Sequence, residues 1–127
     1  MQRRAASMGS SWKDSDLPDS NEVEPFDRID VHEAKRMIDE GDVQVIDSRE
    51  MDEHADGHVP GSLNIPHMAT LPRGDDLARD KPILFICKSG MRSALAAEFA
   101  AALGLSDLYN IEGGHDAWVE AGYPMET

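Results

Sequence analysis

The chain has 127 residues and a mass of 14.0 kDa, enough for one domain with a single core and too little for two. A formal charge of −13, from 12 basic and 25 acidic residues, argues against a nucleic acid partner, because phosphate-backbone binding needs clustered Lys and Arg. One cysteine cannot close an internal disulfide, and no apolar run reaches the roughly 18 residues that span a bilayer, so a reducing cytoplasm away from membranes is the expected setting.

Residues 1–24 are rich in Ser, Asp, Glu, Pro and Gly and poor in apolar side chains, a composition that cannot offset the entropy of ordering. They are expected to form a flexible acidic tail, with the folded domain at 25–127. Arg3 and Arg4 with nearby serines have some transit-peptide character, but Asp14, Asp16 and Asp19 follow too soon. The seven acids from Asp14 to Asp30 read as solvated charge, with docking of a basic partner as the alternative.

Order is expected to begin near Phe26. Asp30 with Glu33 three residues on makes a capping-box-like start, Val31, Ala34, Met37 and Ile38 share one face, and Gly41 supplies a stop: a helix. "VQVIDSR" at 43–49 reads as a buried strand, and Glu50 to Ala55 as a brief helical turn closed by Gly57. A second strand is expected at Leu63 to Ile65. Met68 to Ala78, interrupted by Pro72 and Gly74, reads as loop and short helix.

"PILFIC" is a continuous apolar run of strand length, the pattern of a parallel strand covered on both faces. Met91 to Leu103 is an alanine-rich helix in which Leu95, Phe99 and Leu103 recur every four residues and are expected in the core. "LYNIEGG" is a last strand and "HDAWVEAGYP" a closing helix, with Trp118 in the core. Alternating strands and helices select an α/β fold: a mainly parallel central sheet flanked by helices, with right-handed crossovers.

Cys87, the only thiol, stands where the apolar run stops and the alanine-rich helix begins. Ligands of parallel α/β sheets bind at the carboxyl ends of strands, and the turn from Lys88 through Ser89, Gly90, Met91, Arg92 and Ser93 leads directly into a helix N-terminus. Successive N–H groups there can converge on one anion, and Gly90 lets the chain curl. A helix N-terminus with cationic neighbours lowers a cysteine's pKa from about 8.5 and makes the sulfur a usable nucleophile. A buried structural cysteine has no need of two cations and a glycine in the next five positions.

Three segments in order resemble the rhodanese domain, the sulfurtransferase family, over about residues 27–125. "VIDSREMDEHADGHVPGSLNIP" is similar to the family's Asp-x-Arg and Gly-His-x-Pro-Gly segment through Asp47, Arg49, Gly57, His58, Pro60, Gly61, Asn64 and Pro66. "CKSGMRS" resembles its active-site loop, and "GGHDAWVEAGYP" its carboxyl-terminal signature through Gly113, Gly114, Trp118, Gly122 and Pro124. The resemblance implies a rhodanese-like three-layer fold in a single domain. It further implies a thiosulfate sulfurtransferase working through a Cys87 persulfide, with thiosulfate or another small anionic sulfur compound as donor and cyanide, a small thiol or a thioredoxin-like protein as acceptor.

In that reading Cys87 is catalytic, and the loop from Lys88 to Ser93 binds substrate and stabilises the persulfide, with Lys88 and Arg92 orienting an oxyanionic donor. Lys88 stands where the family often has Arg, which keeps the charge and gives up the fork geometry. Phosphatases of the same fold and related arsenate reductases close the loop as Cys-x5-Arg, whereas Cys87 to Arg92 is Cys-x4-Arg. With no second cysteine to resolve a persulfide, sulfur must leave to an outside acceptor.

Asp47 and Arg49 are expected to brace the loops as a charge pair, and His58 to hydrogen bond near the active loop. His54 and His58 have metal-like spacing, but Gly57 and Pro60 interrupt any helix that would put them on one face, so no metal is expected, nor a cofactor. A monomer is the expected state. The rival reading, from the −13 charge and the acidic tail, is a non-enzymatic regulatory or partner-binding module.

Overall fold

The computed structural model describes residues 23–127, and the expected tail at 1–24 lies almost wholly outside them. Five strands alternate with four helices: β1 (Asp27–Ile29), α1 (Val31–Glu40), β2 (Gln44–Asp47), α2 (Met51–Asp56), β3 (Leu63–Asn64), β4 (Ile83–Ile86), α3 (Met91–Ala102), β5 (Leu108–Ile111) and α4 (Gly114–Glu120). Two 3₁₀ turns, His67–Ala69 and Gly74–Asp76, occupy the segment read as loop and short helix. All pairings are parallel in the order β1-β5-β4-β2-β3, which puts β4 at the centre with Ile83 to Ile86 beside Gln44 to Asp47.

The central strand shows why its sequence is continuously apolar. Ile83 and Phe85 point into one core with Ala96, Ala97 and Ala100 of α3. Leu84 and Ile86 point into another with Val31 and Ala34 of α1 and Trp118 of α4. Successive strand side chains alternate between faces, so a sheet with helices on both sides needs apolar residues at every position of its middle strand.

At α1 the Asp30 half of the expected capping box forms, while the Glu33 carboxylate pairs with Arg36 instead of returning to the cap. The Asp30 side chain accepts the Glu33 N–H at 2.8 Å, and Gly41 ends α1 at φ 85°. At α2 the capping box is reciprocal: the Glu50 carboxylate accepts the Glu53 N–H, and the Glu53 carboxylate accepts the Glu50 N–H at 2.9 Å.

Two expectations are corrected. β1 was not anticipated: two of its three residues are exposed, so it carries no apolar pattern and is held at the sheet edge by pairing with β5. The Leu95, Phe99, Leu103 stripe is not the buried face of α3. Leu95 is 37% exposed, whereas Ala96, Ala97 and Ala100 are fully buried and Ser93 with them. Small side chains let the helix approach the sheet closely, and the larger residues fall to the flank.

Candidate active site

The carboxyl ends of β2, β3, β4 and β5 meet at one edge of the sheet, and Cys87 is the residue that follows β4 there. The chain then turns through Lys88, Ser89 and Gly90. Gly90, at φ 112°, is the N-cap of α3 and adopts the left-handed conformation that a residue with a Cβ resists. Its N–H consequently turns back to the Cys87 sulfur at 3.1 Å. The Ser93 hydroxyl lies 3.3 Å from the same sulfur.

Cys87 is only 1% exposed, and burial alone pushes its pKa up. That effect is outweighed by the Ser93 hydroxyl and by the N–H groups of Ser93, Gly90 and Ser89, so the thiol is held below its ordinary value. Although buried, the sulfur faces the donors of its own loop. The cradle depends on main-chain direction, and of its side chains only Ser93 touches the sulfur.

Ser93 is itself held by Asn110 of β5. Its hydroxyl donates to Asn110 Oδ1 at 2.5 Å, while Asn110 Nδ2 donates to the Gly90 carbonyl at 3.1 Å and to Glu112 Oε2 at 2.5 Å. One hydroxyl proton therefore has two acceptors, Asn110 and the sulfur. Asn110 is fully buried and ties β5 to Gly90 and Ser93 of the loop. Nothing in the strand-like "LYNI" signalled this role beyond a polar residue in an otherwise covered strand.

The two loop cations are engaged with carboxylates. Arg92 donates from Nη1 and Nη2 to the two oxygens of Glu53 on α2, at 2.8 and 3.1 Å. Hydrogen bonding from Arg92, against a smaller opposing effect of burial, lowers the Glu53 pKa to about 2. Lys88 Nζ donates to both oxygens of Asp116 on α4, at 2.9 and 3.2 Å, in a pair open to solvent. Each of the two cations expected to orient a donor thus already holds an acid distant in sequence. Ser89 and Met91 are exposed on the outer side of the turn, Met91 at 80%.

The "GGHDAW" segment also finds its reason here. The His115 N–H donates to the Cys87 carbonyl at 2.7 Å and the Asp116 N–H to that of Lys88 at 3.0 Å. Gly114 sits so close that a Cβ would lie 2.4 Å from the Cys87 oxygen and 2.7 Å from Lys88 backbone atoms. The His115 imidazole is pushed toward neutrality by burial and by the nearby Arg49 charge, and its Nε2 is buried with no partner among the described residues.

Asp47 and Arg49 pair with each other at the end of β2. Both are buried, with Arg49 Nη2 2.7 Å from Asp47 Oδ2 and also donating to the Gly57 carbonyl at 2.7 Å. Asn64 Nδ2 donates to the carbonyls of Asp47 and Arg49, closing β2, α2 and β3 into one unit. His58 hydrogen bonds through Nδ1 to the His54 carbonyl at 2.7 Å, with no contact to the sulfur. Contrary to the helix argument, His54 and His58 do come together: the turn at Gly57 stacks their rings with centroids 3.6 Å apart. His54 Nδ1 is taken by Asp47 at 2.8 Å, so the pair belongs to the Asp47–Arg49 cluster.

Among the described residues no helix is long and apolar enough to cross a membrane. Residues 30–121 match the family described as rhodanese-like domain. The chain is 33% identical over 103 residues to the thiosulfate sulfurtransferase GlpE of Pseudoalteromonas translucida, covering 77% of this chain and 92% of that protein. The crystal structure of a rhodanese-related protein from Thermoplasma volcanium is 36% identical and superposes with a TM-score of 0.72, over 80% of this chain and 98% of that one. A Rhodopseudomonas palustris protein described as a possible tyrosine phosphatase is 32% identical, with a TM-score of 0.70 over 80% and 85% of the two chains. The cysteine cradle after the central strand, the glycine-tight contact behind it and these likenesses lead to one conclusion: the chain belongs to the rhodanese-like family.

Proposed function

We propose that this protein is a sulfurtransferase that carries a single sulfane sulfur on Cys87. The observation that supports this most strongly is the geometry at one buried sulfur, with the Gly90 N–H at 3.1 Å and the Ser93 hydroxyl at 3.3 Å aimed at it. In the first half-reaction the Cys87 thiolate attacks the outer sulfur of thiosulfate. A Cys87 S–S bond forms, the donor's S–S bond breaks, and sulfite leaves with the electron pair. The persulfide retains one negative charge, which main-chain donors stabilise as they do the thiolate.

In the second half-reaction an acceptor attacks the terminal sulfur and regenerates the thiolate. With cyanide the product is thiocyanate, and charge balances without an oxidant. The chain has no other cysteine, so the acceptor is a separate molecule, a small thiol or a thioredoxin-like protein in the cell. Phosphoryl transfer is disfavoured by the four-residue spacing from Cys87 to Arg92 and by the carboxylate already seated on Arg92. The test is thiocyanate formation from thiosulfate and cyanide by the full chain. The activity should disappear in Cys87→Ser; an equal rate in that variant would show that Cys87 does not carry the sulfur, and a rate no higher than background in both proteins would leave a docking module without sulfur chemistry.

A further inference from the structure

Glu53 is fixed from two sides. Its Oε1 accepts Arg92 Nη1 at 2.8 Å and also the Glu50 N–H at 2.9 Å, so the carboxylate cannot swing away from Arg92 without uncapping α2. Both partners are part-buried, with side chains 29% and 30% exposed. Both terminal nitrogens of Arg92 are thereby occupied by a tethered acid, with which an incoming oxyanion would have to compete. A tethered group competes at the high effective concentration of an intramolecular contact, about millimolar or above. Lys88 is the weaker alternative for a donor, a single solvent-exposed point charge that shares its ammonium with Asp116, and the net charge of −13 adds an unfavourable field for a dianion.

We propose that Glu53 is the specificity-determining residue of this site, a built-in competitor for oxyanions at Arg92 that favours alkyl persulfides over thiosulfate as sulfur donors. The inference rests on the sulfur-transfer reading and narrows its donor class. With an alkyl persulfide R–S–SH, the Cys87 thiolate attacks the outer sulfur, the donor's S–S bond breaks, and the departing RS⁻ takes up the proton the persulfide carried. The products are the Cys87 persulfide anion and a thiol, with no oxyanion to be neutralised at any stage. Arg92 can then remain on Glu53 throughout.

The test compares thiosulfate with the persulfide of 2-mercaptoethanol as donors, in the wild-type full chain and in Glu53→Gln. Gln keeps the size and the capping acceptor while removing the charge. The wild-type protein should show the higher kcat/KM with the alkyl persulfide. Glu53→Gln should lower the KM for thiosulfate about tenfold while its kcat moves little, and narrow the preference by the same factor. A second readout needs no turnover: sulfate should protect Cys87 from iodoacetamide at about tenfold lower concentration in Glu53→Gln than in wild type. A wild-type preference for thiosulfate, an unchanged KM, or equal sulfate protection in the two proteins overturns the proposal. If neither donor adds sulfur to Cys87, the sulfur-transfer reading fails, and the sulfate comparison still decides the role of Glu53.

Discussion

Ser93 offers the sharpest probe of how the site activates its thiol. Its hydroxyl has one proton and two acceptors, Asn110 Oδ1 at 2.5 Å and the Cys87 sulfur at 3.3 Å. While Cys87 is neutral the proton stays with Asn110; once the sulfur is charged, donation to it becomes worth more. A hydrogen bond to a charged group contributes about 1.5–3 kcal/mol and a neutral one about 0.5–1.5 kcal/mol, so a hydroxyl that stays within reach of both acceptors strengthens its bond to the sulfur by about 1–1.5 kcal/mol when the thiolate forms. Ser93→Ala removes that difference and leaves the Ser93, Gly90 and Ser89 N–H groups in place. The pH midpoint of iodoacetamide alkylation should therefore rise by about one pH unit, toward that of an ordinary thiol. The same change strands Asn110 Oδ1 in a fully buried position, costing about 1–3 kcal/mol in urea unfolding. An alkylation midpoint that stays put, in a variant destabilised as expected, would show that the hydroxyl serves Asn110 alone and that the amides activate the sulfur unaided.

Gly114→Ala should cost about 2–5 kcal/mol in urea unfolding, combining left-handed strain with overpacking against the Cys87 and Lys88 backbone. Its alkylation rate should also fall, because the displaced backbone carries the sulfur. Gly122→Ala, at φ 78° with open space around it, should cost about 1–2 kcal/mol and leave alkylation unchanged; similar behaviour in the two variants would contradict the close-approach argument. The Arg92–Glu53 pair sets a pH window. The Glu53 pKa is about 2 in the fold against 4.5 otherwise, so its stabilisation is complete above about pH 4.5 and is lost as pH falls toward 2. The full shift would amount to about 3 kcal/mol, and solvent screening of a part-exposed pair reduces this to about 1 kcal/mol. Between pH 5 and 3, wild type should lose about that much more urea stability than Glu53→Gln; parallel losses would count against a strong pair.

The parts of the molecule that were legible in the sequence are those written in local chemistry. Asp30 and Gly41 bound α1, the unbroken apolar run of β4 announces two covered faces, and Cys87 with Gly90 and the helix behind it marks the reactive edge. What escaped was long-range or conveyed by ordinary residues. Glu53 and Asp116 reach their cations from 39 and 28 positions away, a pairing no spacing rule reveals. Asn110 looks like any polar residue in a strand until the sheet sets it beside Gly90 and Ser93. The face of α3 was misjudged because alanine is read as a helix former before it is read as a core residue, although Ala96, Ala97 and Ala100 are what the sheet touches. His54 and His58 met through a turn where a helix had been required.

The most direct measurement is the intact mass of the full chain after incubation with thiosulfate and desalting under non-reducing conditions. A cradle built for one transferable sulfur predicts a gain of one sulfur atom per chain, released as thiocyanate on adding cyanide and absent in Cys87→Ser. An unchanged mass after both thiosulfate and an alkyl persulfide, in folded protein whose Cys87 still alkylates, would contradict it.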